Sequence, residues 1–239
     1  MLKLEGKFVD VGREVQQKSI TAQETEKQIF TSAAKTQTMR FRFFKRTVDI
    51  LGSLFGLILL SPLFLIVAFL IRREDANGPV IFSQERIGKN GRRFTMYKFR
   101  SMCTDAEEKF HELVELNEIE GAMFKIKDDP RVTKIGKKIR KTSVDELPQL
   151  VNVLKGDMSL VGPRPPLERE VSQYTERDLQ RLNVKPGCTG LWQVRGRNDV
   201  HFDEMVEFDL EYIENQSIWN DLKIMFQTVK VMFFSRGAY

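Results

Sequence analysis

Residues Ile50–Ile71 read ILGSLFGLILLSPLFLIVAFLI, 22 residues without a charge, with Ser61 and Pro62 near the middle. About 20 apolar residues cross ~30 Å of hydrocarbon as one helix, so a single membrane span is the plainest reading. Two features favour a segment that enters, bends and returns to the face it left. Pro62 has no N–H to donate, and its ring crowds the carbonyl of Ile58, four residues earlier. A bend there leaves two pieces of roughly ten residues, each ~15 Å long and about one leaflet deep. The Ser61 hydroxyl is placed to take up a freed carbonyl. The second feature is charge. Arg40, Arg42, Lys45 and Arg46 precede the run, and Arg72 and Arg73 follow it. Basic flanks tend to stay cytoplasmic, and a hairpin-like return satisfies both ends.

The remaining composition is that of a soluble protein. Of 239 residues, 30% are charged, which leaves room for one catalytic domain and an anchor. The expected division is a polar tail over 1–40, a re-entrant membrane helix over 41–73 and a cytoplasmic catalytic domain over 74–239. The tail has little apolar periodicity and no signal-peptide pattern. A net charge of +5 favours anionic partners: phosphates, nucleic acid or acidic headgroups. Cys103 and Cys188 lack CxxC spacing, which excludes a zinc site or disulfide framework and fits a reducing compartment. With only His111 and His201, a histidine metal cage is nearly excluded and a Ser-His-Asp triad is disfavoured. Chemistry here would run on carboxylates and cations.

Beyond the anchor the pattern predicts an α+β, mostly α-helical chain. PVIFSQERIGKNGRRFTMYKFRSM places two β-type runs around Asn90-Gly91, a strong hairpin signal. Lys98 and Arg100 alternate with Phe99, which puts both cations on one face. Thr104 and Glu107 suit a capping box for a polar helix to about Glu120. Arg131–Lys141 reads either as a solvated basic helix or as a face that meets phosphates or headgroups. Near the C-terminus Ile218, Leu222, Met225, Phe226, Val229 and Phe233 recur at helical spacing, as in a core-packing helix or an interfacial one.

Asp145 and Glu146 precede LPQLVNVLKG, in which Pro148 suits a first helical turn and Gly156 a stop. Carboxylates there commonly only cap. Their neighbours, Arg131, Lys134, Lys137, Lys138, Arg140 and Lys141, suggest a phosphate-handling site instead. One carboxylate would serve as nucleophile, the other would help hold Mg²⁺, and the cations would offset phosphoryl charge. Mg²⁺ takes oxygen ligands and often only one or two protein carboxylates. GPRPP, Gly162–Pro166, holds Arg164 between prolines and suits bidentate phosphate binding. KPGCTGLWQVRGRND sets Arg195 and Arg197 near glycines and Trp192, as a nucleotide-contacting loop or a structural turn.

From about Phe43 onward the chain closely resembles the bacterial sugar transferases, or monotopic phosphoglycosyl transferases. The matching blocks are KRTVDILGSLFGLILLSPLFLIVAFLI, VIFSQERIGKNGRRFTMYKFRSM, DPRVTKIGKKIRKTSVDELPQLVNVLKGDMSLVGPRP, KPGCTGLWQVRGRND and DLEYIENQSIWNDLKI. The resemblance implies transfer of a hexose 1-phosphate from a UDP-sugar to undecaprenyl phosphate, with release of UMP, at the start of exopolysaccharide, capsule or glycoconjugate synthesis. It makes Asp145 the nucleophile of a ping-pong reaction through a covalent phosphosugar, and Glu146 its Mg²⁺-binding neighbour. It makes Lys98, Arg100, Arg164 and Arg197 phosphate- or nucleotide-binding residues, and Ser61-Pro62 the break of a re-entrant helix. Asp209 and Asp221 match family blocks without an assigned role. The wording of LWQVRGRND and EFDLEYIENQSIW leans toward UDP-glucose or UDP-galactose. The implied setting is the bacterial cell membrane, with the catalytic domain on its cytoplasmic face. The implied partners are the two substrates and membrane lipids, not nucleic acid, with homo-oligomerisation left open. Larger members add a multi-span region, so the resemblance implies the minimal form with an extra tail. The rival reading is a non-catalytic basic adaptor that binds acidic lipids at a membrane surface.

Overall fold

The computed structural model describes residues 38–106, 108–109, 126, 128–195 and 201–234, with side chains described to Val231. Residues 1–37 of the expected tail, most of the polar helix after Thr104, Arg197 and the side chain of Phe233 lie outside these residues, while the last residues assigned to the tail, from Met39, already belong to the first helix.

Helix α1, Met39–Leu59, starts well before the charge-free run and is opened by Thr38, whose hydroxyl accepts the Phe41 N–H at 3.3 Å. Its inner face carries Lys45, Arg46, Asp49, Gly52, Ser53 and Gly56, at the three- and four-residue steps that place side chains on one face. Its three charged groups have partners on the folded domain, while the Ser53 hydroxyl donates to the Asp49 carbonyl of its own helix. Lys45 Nζ donates to Asp221 at 2.6 Å and to the Val161 carbonyl at 3.2 Å. Arg46 donates to the carbonyls of Val153 and Leu154 at 2.6 and 2.7 Å. Asp49 accepts from the Ser159 hydroxyl and the Leu160 N–H, both at 2.9 Å. Gly52 permits the approach, since a Cβ there would lie 2.7 Å from Leu160 Cδ1. The opposite face, with Phe44, Leu51, Leu54, Phe55, Ile58 and Leu59, is exposed.

At Leu60 the chain bends by 59° into α2, Ser61–Glu74. The Ser61 hydroxyl donates to the Ile58 carbonyl at 2.8 Å, satisfying the acceptor that Pro62 disturbs. Pro62 itself sits in the first turn of α2, where its missing N–H costs little. Among the described residues no single helix is long and apolar enough to cross a membrane, but the bent pair passes that test together. Val67 and Ile71 bury against Phe99 and Ile139, while Leu65, Ile66 and Phe69 stay exposed. Glu74 ends α2 by accepting the N–H groups of Lys134 and Ile135 at 2.8 and 2.9 Å. Those residues begin α3, Lys134–Lys141, so both ends of the bent pair are fastened to one body.

Strands β1, Ile81–Ile87, and β2, Arg93–Phe99, form the expected antiparallel hairpin, in register from Ile81 opposite Phe99 to Ile87 opposite Arg93. Asn90 and Gly91 adopt φ of 56° and 74°, the left-handed region this pair tolerates. They lie in a 3₁₀ turn over Lys89–Gly91, a longer connection than the tightest hairpin turn. Helix α4, Gln149–Lys155, covers the edge of β2. Its Asn152 accepts the Tyr97 N–H at 3.0 Å and donates to the Thr95 carbonyl at 2.6 Å. Strands β3, Ser159–Val161, and β4, Gly187–Thr189, pair in parallel. Short helices α5, Glu168–Val171, and α6, Glu176–Leu179, lie between these strands in the chain, and α7, Leu191–Arg195, follows β4.

Helices α8, Phe202–Glu214, and α9, Ile218–Phe234, complete the described chain. The apolar stripe expected on α9 does not pack as one core face. Ile224 and Asp221 are buried, whereas Trp219, Leu222, Phe226 and Val229 are exposed. Asp221 fixes the rotation of the helix, because it must meet Lys45 and the Tyr212 hydroxyl, the latter at 2.9 Å. The architecture is α+β and mostly helical.

Candidate active site

Ser143, at a φ of 55°, turns the chain out of α3 into a 3₁₀ turn, Val144–Glu146. Asp145 is buried there, and the side chain of Glu146 remains 37% exposed. Neither carboxylate caps α4, which starts at Gln149 with Pro148 in the cap position and no side-chain capping bond. The expected first-turn place of Pro148 is thus shifted by one residue. The capping role that would have made the dyad purely structural finds no support.

Cations approach from separate elements. Lys98, on β2, pairs with Glu146 at 2.5 Å. Burial pushes the Asp145 carboxyl up to about 6 against the pull of Lys98, and the neighbouring Glu146 charge adds to the rise. Burial acts on Glu146 in the same sense, but Lys98, Arg164 and Arg86 hold it below the usual carboxylate range. Asp145 is therefore ionised at neutral pH yet more basic than an ordinary carboxylate, which suits a nucleophile. Of the basic segment before the dyad, Arg140 acts on Asp145, while Arg131 is buried against Asp129 at 2.6 Å.

Arg164 is placed by a loop bonded at each proline. The Pro163 carbonyl accepts the Gly187 N–H at 2.8 Å, Pro165 accepts Arg86 Nη1 at 3.1 Å, and Pro166 accepts the Ile87 N–H at 2.9 Å. Glu170, fully buried, holds the Arg164 guanidinium at 3.2 Å. Arg100 is not with the dyad. Just past the end of β2 it donates to the Asp75 side chain at 3.0 Å and backbone carbonyl at 2.6 Å, fastening the end of α2. Asp209 and Asp221 also lie in separate buried networks. Asp209 accepts from Arg181 at 2.8 Å, and Asp221 bonds Lys45 and Tyr212.

Arg86 was not anticipated from sequence. It lies on β1, and its strand parity puts it on the face shared by Gln84, Met96 and Lys98. Its signal was a cation inside a strand that the fold buries, which alternation alone cannot separate from an outward-facing one.

Among the described residues no group of three or more His, Cys, Asp or Glu side chains is placed to hold a metal. Two adjacent carboxylates fit a Mg²⁺ ion that completes its shell with water and substrate phosphate. A carboxylate pair among Lys98, Arg86 and Arg164 suits phosphorylated, multiply anionic substrates, with one carboxylate available for attack on phosphorus.

The chain belongs to the bacterial sugar transferase family, whose sequence pattern matches residues 40–235. It is 52% identical over 195 residues to the galactosyl transferase CpsE of Streptococcus agalactiae serotype III (strain NEM316), covering 81% of this chain and 43% of that protein. It is 49% identical over 202 residues to an undecaprenyl-phosphate galactose phosphotransferase of Salmonella typhimurium (strain LT2), covering 83% and 42%. It is 43% identical over 199 residues to the exopolysaccharide production protein ExoY of Rhizobium meliloti (strain 1021), covering 82% and 88%. The chain thus spans less than half the length of the first two relatives.

Proposed function

We propose that the chain transfers a hexose 1-phosphate from a UDP-sugar to undecaprenyl phosphate and releases UMP. The carrying observation is the buried Asp145 beside a Glu146 neutralised by Lys98, with Arg164 held on the adjoining loop. A carboxylate oxygen of Asp145 attacks the β-phosphorus of the UDP-sugar. The bond from that phosphorus to the bridging oxygen breaks, and UMP leaves with the electron pair. A phosphate oxygen of undecaprenyl phosphate then attacks the same phosphorus and expels the Asp145 carboxylate, giving the diphosphate-linked sugar. One pocket serves both steps, so two polyanions need not be bound at once. Mg²⁺ held by Asp145 and Glu146 would neutralise charge on the diphosphate. Lys98 and Arg164 orient the phosphates, while Arg197 remains a candidate nucleotide contact and Arg100 instead fastens the end of α2. The names of the galactosyl transferase and galactose phosphotransferase relatives favour UDP-galactose, with UDP-glucose as the other candidate.

The bent helix pair enters the cytoplasmic leaflet of the bacterial cell membrane and returns. A spanning segment delivers its ends to faces ~30 Å apart, whereas α1 and α2 are both fastened to the catalytic domain. Their exposed apolar faces, with those of Trp219 and Phe226 on α9, form the lipid-contacting side.

The test is UMP release by the purified protein with Mg²⁺, undecaprenyl phosphate and a panel of UDP-sugars. Release from UDP-galactose or UDP-glucose, lost on adding EDTA, is expected. Lipid binding without turnover of any UDP-sugar would instead leave the basic adaptor.

A further inference from the structure

Arg86 is only 7% exposed, and one of its three side-chain nitrogens has no acceptor. Nη1 donates to the Pro165 carbonyl at 3.1 Å and Nη2 to Gln84 Oε1 at 2.7 Å, both neutral oxygens. The Nε–H is buried with no acceptor. The acidic groups that face Arg86 are already engaged, Glu146 by Lys98 and Glu170 by Arg164. Burial, and the like charge of Arg164, lower its affinity for a proton to a pKa of about 9.

Fastening the GPRPP loop to the hairpin needs a hydrogen-bond donor but no charge. A neutral side chain would do it without burying a cation beside a second one, an arrangement that costs free energy until an anion arrives. An unfilled donor on a desolvated guanidinium, two residues from the Gln84 that orients it, is a receptor for an oxyanion.

We propose that Arg86 is a substrate-binding residue that takes a diphosphate oxygen through its unfilled Nε–H, beside Arg164. The assignment of that diphosphate to a UDP-sugar rests on the transferase reading above. Arg86 thereby couples occupancy to the loop, because the guanidinium that meets the anion also holds Pro165 and so sets where Arg164 stands.

The experiment is calorimetric titration of the full-length protein in detergent with pyrophosphate, UDP and uridine, beside Arg86→Gln, Arg86→Lys and thermal melts. Arg86→Gln is expected to weaken pyrophosphate and UDP binding by about tenfold or more while leaving uridine unchanged. In turnover, KM for the UDP-sugar should rise by a larger factor than kcat falls. A folded Arg86→Gln protein that binds pyrophosphate and UDP as the wild type does would overturn the assignment and leave Arg86 a loop fastener. If Arg86→Gln does not fold, Arg86→Lys carries the test, because it keeps the charge and loses the planar fork. It should weaken pyrophosphate binding several-fold with its melt retained, and unchanged affinity overturns the proposal. Loss of pyrophosphate binding in the variant, with no UMP release by the wild type, would sink the transferase reading and leave the Arg86 assignment standing.

Discussion

Asp49 and Ser159 are 110 residues apart in the chain and 2.9 Å apart in the fold. The same Asp49 oxygen also accepts the Leu160 N–H, so one carboxylate inside the anchor helix fixes the strand that leads into the Arg164 loop. Asp49→Ala would leave the buried Ser159 hydroxyl and an amide without an acceptor, at a cost of about 1–3 kcal/mol. Asp49→Asn keeps one acceptor oxygen and should cost less. Denaturant midpoints of the two variants in the same detergent check the order; equal midpoints would mean that the contact does not hold the domains together.

Asp145→Asn should abolish UMP release, by about 10³-fold or more, with the melting temperature nearly unchanged. An amide of the same shape keeps the turn but removes the anionic oxygen that attacks. Near-normal turnover by this variant would rule out Asp145 as the nucleophile.

Lys98→Met removes the ammonium that neutralises Glu146. Two neighbouring carboxylates then repel an incoming diphosphate, and UMP release should fall by about 10–100-fold, with Lys98→Arg recovering part of it. Because the pair is partly exposed, the melting temperature should move little. A large loss of stability with normal turnover would make the pair structural.

For the anchor, single cysteines at Thr38 and Asn77 in a Cys103→Ser, Cys188→Ser background should both resist a membrane-impermeant thiol reagent in intact cells. Both should react once the cells are opened. Labelling of Thr38→Cys alone from outside is the signature of a span, and would contradict the return path inferred from Glu74 and Asp49.

The local signals read well from sequence. Asn90-Gly91 marked the hairpin, Ser61-Pro62 the bend, and Gly156 the end of the helix after the dyad. What stayed hidden depends on partners far along the chain, which leave no period in a window of residues. Lys45 and Arg46 read as flanking charge, yet they are consumed by Asp221 and by the last carbonyls of α4. Arg100 had the right strand parity but lies just past the last residue of β2, where Asp75 takes its side chain. Strands β3 and β4 are three residues each, too short for alternation to register. The stripe on α9 left a core face and an interfacial face open, and Asp221, a polar residue whose partner lies outside the helix, chose which side faces inward.

Helix α4 has the anchor at one end and the dyad's turn at the other. Arg46 grips its final carbonyls, and Glu146 lies three residues before its first turn. Seven helical residues make a strut of about 10 Å. Such a strut does not stretch, so a shift of the anchor along its axis reaches the carboxylates as displacement instead of being absorbed by slack loop. The height of the Asp145 carboxylate above the anchor's apolar face is thus built into the chain as a fixed standoff, and on the transferase reading proposed above a phosphate on a lipid tail would have one depth at which to meet it.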